Sequence, residues 1–175
     1  MEIKKVVAAW LICKDGKDAG KVFLQRRTET ELKDGKNNLQ SYPFVCQPTW
    51  SGKMERNEDV FTTLKREGEE ELGTRFASIF DFSKLQLFYT NENDDCPDKV
   101  KWIGHNFTGF VSQKELSLVQ LHSGALPKFI AIGKEDIPLI GIVGEPGVVP
   151  SKQITLFKDQ HKALKNLFSS NKFLI

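Results

Sequence analysis

Apolar positions follow two rhythms along this chain. Val6 to Cys13 (Val-Val-Ala-Ala-Trp-Leu-Ile-Cys) is an unbroken, partly β-branched apolar run. Such a run predicts a buried strand. Lys14 to Gly20 is rich in Gly, Asp and Lys and reads as a hairpin connection. Lys21 to Arg27 is then the returning strand. Thr28 to Tyr42 is polar and irregular, with Asp34-Gly35 as a turn signal. Phe44 to Trp50 is strand-like but carries Pro48, which argues for an edge or a bend.

The rhythm then changes. Phe61, Leu64, Gly68 and Leu72 recur at helical spacing and predict one buried stripe. Asn57 is the expected N-cap, with Glu58 and Asp59 placing negative charge in the first turn. Gly73 fits the residue past the helix end. Arg75 to Lys84 reads as a connection, with Phe76, Ile79, Phe80 and Phe82 as packing residues. Leu85 to Thr90, Lys99 to Val111, Leu116 to Leu121 and Lys128 to Ile132 are strand candidates. Gly133 to Pro138 reads as a turn into a short helix or loop, and Pro138 to Pro150 as irregular. Ser151 to Phe168 has helical character, with Ala163, Leu164, Leu167 and Phe168 as the docking stripe. The order is β-β-loop-β-helix-β-β-β-β-helix, an α/β (α+β) chain read as one domain over residues 1–175.

Composition narrows this picture. Hydrophobic residues at 39% and charged residues at 27% fit a soluble globular protein. A net charge of +2 is too small to argue for nucleic-acid or membrane binding. Lys4-Lys5 before Val6 to Cys13 loosely mimics a signal peptide, but the apolar run is short and ends in a turn, so it reads as a strand. No run is long enough to span a membrane. Cys13, Cys46 and Cys96 are odd in number and widely spaced, which points to a reducing cytoplasm.

Chemistry concentrates on the first predicted helix. Glu67, Glu70 and Glu71 stand at i, i+3 and i+4, so they share one face, roughly 110° from the apolar stripe. Three carboxylates there repel one another, and the fold does not require them. They suit a hard divalent cation held by a few carboxylates, water and substrate phosphates. The plainer reading is a solvated face balanced by Lys65 and Arg66.

The full spacing decides between these. Gly52, five residues, Glu58, seven residues, Arg66-Glu67, two residues, Glu70-Glu71, one residue and Gly73 reproduce the Nudix box. The chain resembles a Nudix hydrolase. Two positions depart from the box, which normally has bulky aliphatic residues where Gly68 and Thr74 stand. Gly68 costs about 1 kcal/mol of helix stability relative to Ala, and lets the helix approach its sheet more closely.

The resemblance implies an α/β/α sandwich with a mixed sheet. It also implies hydrolysis of the pyrophosphate of a nucleoside diphosphate linked to another moiety. Mg²⁺ would be the cofactor, with Mn²⁺ as the alternative ion. The implied metal ligands are Glu70, Glu71, Glu67 and the Gly52 carbonyl. Glu67 is either a ligand or the base. Arg66, always protonated, would pair with a carboxylate and fix its rotamer, and Glu58 would support the site from outside. Arg26 and Arg27 end a strand that lies near the substrate side in similar chains. Tyr89 stands roughly where diadenosine-polyphosphate hydrolases place a tyrosine. Tyr42, Phe44, Trp50 and Trp102 are further aromatics able to stack on a base.

Many family members add an acidic residue from a loop after the box. That loop falls near His122-Ser123-Gly124, which has no carboxylate. Glu115, Glu135, Asp136 or the acidic run around Asp94-Asp95 are the alternatives, and His122 is a further ligand or base candidate. The resemblance also implies a homodimer as the assembly to test. Two other readings stand beside the hydrolase: a Nudix-fold nucleotide sensor without turnover, and an isopentenyl-diphosphate isomerase. The surroundings of Cys46 do not match the isomerase well.

Overall fold

A computed structural model describes residues 2–33, 35–93, 100–120 and 128–170. The first half of the chain forms β1 (Glu2–Cys13), β2 (Val22–Arg26), the hairpin β3 (Thr30–Lys33) and β4 (Lys36–Leu39), β5 (Cys46–Gln47) and β6 (Trp50–Lys53). Helices α1 (Val60–Leu72) and α2 (Thr74–Ile79) follow, then the long strands β7 (Gln86–Asn93) and β8 (Val100–Val111). The rest is α3 (Gln113–Leu116), β9 (Lys128–Ile132), the short strands β10 (Gly141–Ile142) and β11 (Thr155–Leu156), and α4 (Lys158–Ser169).

The main sheet is mixed. Its path is β5-β2-β1-β8-β7, with β6 also on β1 and β9 on β2. β1 and β8 run parallel over their whole length, from Glu2 opposite Val100 to Cys13 opposite Val111. The other main-sheet pairs are antiparallel.

The period-two alternation of β1 builds the layers. Val7, Ala9 and Leu11 join Trp50, Leu64, Leu72 and Phe76 in the core under α1. Trp10 and Ile12 join Leu24, Ala163, Leu164, Leu167 and Phe168 in the core under α4. The result is the expected α/β/α sandwich, and β1 is the buried strand expected, with both its faces covered. Among the described residues no helix is long and apolar enough to cross a membrane.

Several expectations need correction. α1 starts at Val60, and its N-cap is Asp59, not Asn57. The Asp59 carboxylate accepts from the Thr62 N–H at 2.9 Å, while Asn57 has a left-handed φ of 75°. Phe61 lies half exposed, edge-on to Phe107, and Thr63 takes the interior place. Thr63 can do so because its hydroxyl donates to Glu58 and to the Asp59 carbonyl. Residues 28–42 include the β3–β4 hairpin, and 75–84 include most of α2.

Leu116 to Leu121 forms no strand in its described part. Ser112 and Glu115 make a capping box that winds Gln113–Leu116 into α3. Beyond it the Gln120 N–H donates to the Leu72 carbonyl, so the chain docks on the end of α1. The predicted helix over 151–168 begins only at Lys158, because Thr155–Leu156 pair with β10. Its stripe of Ala163, Leu164, Leu167 and Phe168 is buried as expected.

Candidate active site

α1 is held against β6 by two contacts. The Trp50 indole N–H donates to the Leu64 carbonyl at 3.0 Å. Gly68 lies over Trp50 and Phe82, and a Cβ there would sit 2.9 Å from Phe82 Cε1 and 3.3 Å from Trp50 Cε2. The glycine that breaks the aliphatic pattern of the box is therefore the residue that lets helix and strand close up.

That approach sets Gly52 of β6 against the carboxylate face. A Cβ at Gly52 would fall 1.8 Å from Glu67 Cδ, so any side chain there would displace the Glu67 carboxylate. Glu67 is partly buried, and burial pushes its carboxyl upward in pKa while the Arg66 hydrogen bond pulls it back. Glu70, one turn on, is largely exposed. Glu71 is the most perturbed group. Its Oε2 is buried without a hydrogen-bond partner. Burial first, and then the Glu67 charge, push its pKa up to about 8, against the opposing pull of the Ser51 N–H and Arg27.

Arg66 is the organiser. Its Nε and one terminal nitrogen donate to both Glu58 oxygens at 2.8 and 3.0 Å. The same nitrogen donates to the Lys53 carbonyl at 3.0 Å, and the other donates to Glu67 at 2.8 Å. It also reaches Glu70 at 3.5 Å. Glu58 in turn accepts from the Glu55 N–H and the Thr63 hydroxyl. Arg66, followed by the Glu55 N–H, holds the Glu58 carboxyl down to about 2. The bidentate pair ties the front of the box to its middle and orients Glu67.

The structure thus brings together Gly52, Glu58, Arg66, Glu67, Glu70 and Glu71. Among the described residues no three His, Cys, Asp or Glu side chains already surround one point. Arg27 stands close enough for its charge to act on Glu71. It is braced by the Gln47 side chain and the Ser41 carbonyl.

Arg26 goes elsewhere, donating to the Phe44 and Pro150 carbonyls. Tyr89 packs on the core under α4, away from the carboxylates. Trp50 is fully buried core. Of the alternatives for a distal acid, Glu115 is committed to the α3 cap and to Lys14, and Asp136 accepts from the Gly133 N–H. Asp94, Asp95 and His122 lie outside the described residues.

The Nudix domain family model matches residues 4–125. The chain belongs to the Nudix family. No curated protein sequence matches it. Similar folds include a MutT/Nudix family protein from Enterococcus faecalis, with TM-score 0.59, 15% identity and coverage of 97% of this chain and 62% of that one. The Nudix domain of Shewanella oneidensis NrtR, solved with ADP ribose, gives TM-score 0.59 at 12% identity, covering 97% and 88%. Caenorhabditis elegans Ap4A hydrolase gives 0.53 at 14%, covering 95% and 97%. The chain therefore spans less than two thirds of the Enterococcus protein. At these identities the likeness is one of fold.

Proposed function

We propose that this Nudix protein is a divalent-metal-dependent hydrolase of the pyrophosphate in a nucleotide derivative, with Mg²⁺ as the ion. The buried, unpartnered Glu71 Oε2 beside Glu67 and Glu70 carries this reading. A deprotonated carboxylate in that place is held at an energetic cost, and a cation relieves it. Glu67, Glu70, Glu71 and the Gly52 carbonyl are the oxygen donors that would hold such an ion, the ligand type hard ions take. When bound, the ion would neutralise phosphate charge and activate water.

The chain's own residues supply the rest. Arg66 holds Glu67 in place and cannot itself accept a proton. Glu67, with its raised pKa, serves as ligand or as base toward the attacking water. Arg27 offers a positive charge to the substrate phosphates. Arg26 and Tyr89 contribute by shaping the neighbouring loop and core.

The test is a panel of nucleoside triphosphates, ADP-ribose, NADH, diadenosine polyphosphates, CoA and nucleotide sugars, incubated with Mg²⁺ and wild type or Glu70→Gln. Turnover of one class by wild type and its loss in the variant are expected. Metal-independent binding without turnover of any compound would overturn the hydrolase and leave a nucleotide sensor.

A further inference from the structure

Trp50 begins β6 and is fully buried. A buried indole needs a partner for its N–H. Phe76, Phe80 and Phe82 stand edge-on around it, with ring centroids 5.9 to 6.3 Å away, and a phenyl ring offers no oxygen or nitrogen. The N–H goes to the Leu64 carbonyl of α1, at 3.0 Å. Helix pitch already assigns that carbonyl to the Gly68 N–H, so the indole takes its second lone pair. The helix does not need Trp50 to satisfy Leu64. What the bond adds is a fixed point between helix and strand.

That point lies in the turn that leads to the carboxylates. Glu67 and Glu71 follow Leu64 by three and seven residues, on successive turns. Gly68 sits in the same turn, and a Cβ there would lie 3.3 Å from Trp50 Cε2, the ring carbon bonded to the donating nitrogen. The side chain absent at 68 and the indole present at 50 thus share one space. The backbone after Trp50 then meets the carboxylates. The Ser51 N–H acts on the Glu71 carboxyl, and a Cβ on Gly52 would run into Glu67. Trp50 pins the helix with its side chain, and the next two residues touch both carboxylates.

We propose that Trp50 is a positioning residue of the metal centre: its indole N–H sets the place of α1 along β6 so that Glu67 and Glu71 meet the Ser51–Gly52 backbone. The inference rests on the reading of these carboxylates as the seat of a divalent ion. A one-residue slip moves a helix about 1.5 Å along its axis, and a misplacement of about 1 Å can cost on the order of 100-fold in rate. With the N–H removed, the packed rings still hold the slip to a fraction of that. The expected loss of ion affinity is therefore about ten-fold, the lower end for removing a group that orients metal ligands.

The test reads ion binding as well as turnover. Mn²⁺ is titrated into the full chain and followed by loss of the free-ion electron paramagnetic resonance signal. Wild type, Trp50→Phe and Phe80→Leu are compared. Trp50→Phe keeps an aromatic ring and removes the N–H. Phe80→Leu disturbs the same ring cluster and leaves the indole bond in place. Both variants should unfold at lower urea than wild type, but only Trp50→Phe should bind Mn²⁺ about ten-fold more weakly. Its hydrolysis should need more Mg²⁺, with the KM for the nucleotide unchanged.

Wild type supplies a readout independent of variant folding. On addition of Mg²⁺ the Trp50 indole N–H resonance should shift, while that of Trp10, bonded to Asn106 on the other face, stays. Equal Mn²⁺ affinity in Trp50→Phe and wild type, an equal loss in Trp50→Phe and Phe80→Leu, or an unmoved Trp50 resonance would overturn the proposal. Mn²⁺ binding that weakens in Trp50→Phe, in a chain that hydrolyses nothing, would count against the hydrolase alone. Hydrolysis with an unaltered Mg²⁺ requirement in Trp50→Phe would count against this role of Trp50 alone.

Discussion

The two faces of the central sheet are built differently. On the α1 face, polar chemistry is dense, charged and local: every residue from Gly52 to Glu71 that meets another there comes from one short segment. On the α4 face, amides from β7, β8 and α4 line a cavity beside Lys53 and Asp159, and the Trp10–Asn106 bond joins residues 96 apart. On the proposed function, the charge gathered on one helix face meets phosphate and metal.

The comparison breaks most visibly at the carboxylates. Glu71→Gln should lower kcat/KM by about 100-fold or more, the scale of losing electrostatic stabilisation at the reacting phosphate when the ion that supplies it is no longer held. Steady-state kinetics on the preferred substrate checks this. Arg66→Lys comes next. A lysine cannot bridge Glu58 and Glu67 with a planar fork, and positioning partners of this kind are worth about 10–100-fold in activity or metal affinity. A metal titration of activity should show the loss as a weakened ion requirement curve.

Gly68→Ala sharpens the packing half of the comparison. Alanine would add about 1 kcal/mol of helix propensity, but overpacking typically costs about 1–3 kcal/mol. With a Cβ only 2.9 Å from the Phe82 ring, the packing cost wins, and urea unfolding should report a less stable variant.

The smallest effects are in pH. Glu71 has a folded pKa of about 8 against an ordinary 4.5. Between those values the unfolded chain binds fewer protons, so in chelator the stability falls as pH rises from about 4.5 to 8. Glu71→Gln should flatten that decline. Glu58 acts oppositely: with its folded pKa near 2, its contribution is present above 4.5 and lost as pH falls toward 2. Glu58→Gln should remove that acid limb. Thermal melts across pH in both variants check the two signs.

The same contrast explains what the sequence makes legible. The box is contiguous, so helical spacing puts Glu67, Glu70 and Glu71 on one face, and the resemblance to the box adds Gly52 and Arg66. β1 is legible because burial makes it an unbroken apolar run, and the α4 stripe because burial imposes a helical period. Phe61 was misplaced because a hydrogen-bonded threonine can occupy the interior as well as an aromatic can. Leu116 to Leu121 misleads because its apolar alternation is overruled by the Ser112–Glu115 cap. Arg26 looks like a site cation, but the carbonyls of Phe44 and Pro150 claim it, and no local pattern announces that. The hydrogen bonds from Trp10 to Asn106 and from Asn106 to Asn91 leave no signal in one sequence, because they depend on a parallel pairing of β1 with β8.

The most direct measurement is the rate of hydrolysis of the preferred nucleotide against Mg²⁺ concentration, in wild type and Glu71→Gln. The account predicts no turnover in chelator, a saturable rise with Mg²⁺ in wild type, and a curve in the variant that is displaced or absent. Turnover that persists in chelator, or a Glu71→Gln curve that overlays wild type, would contradict a metal centre built on this helix face.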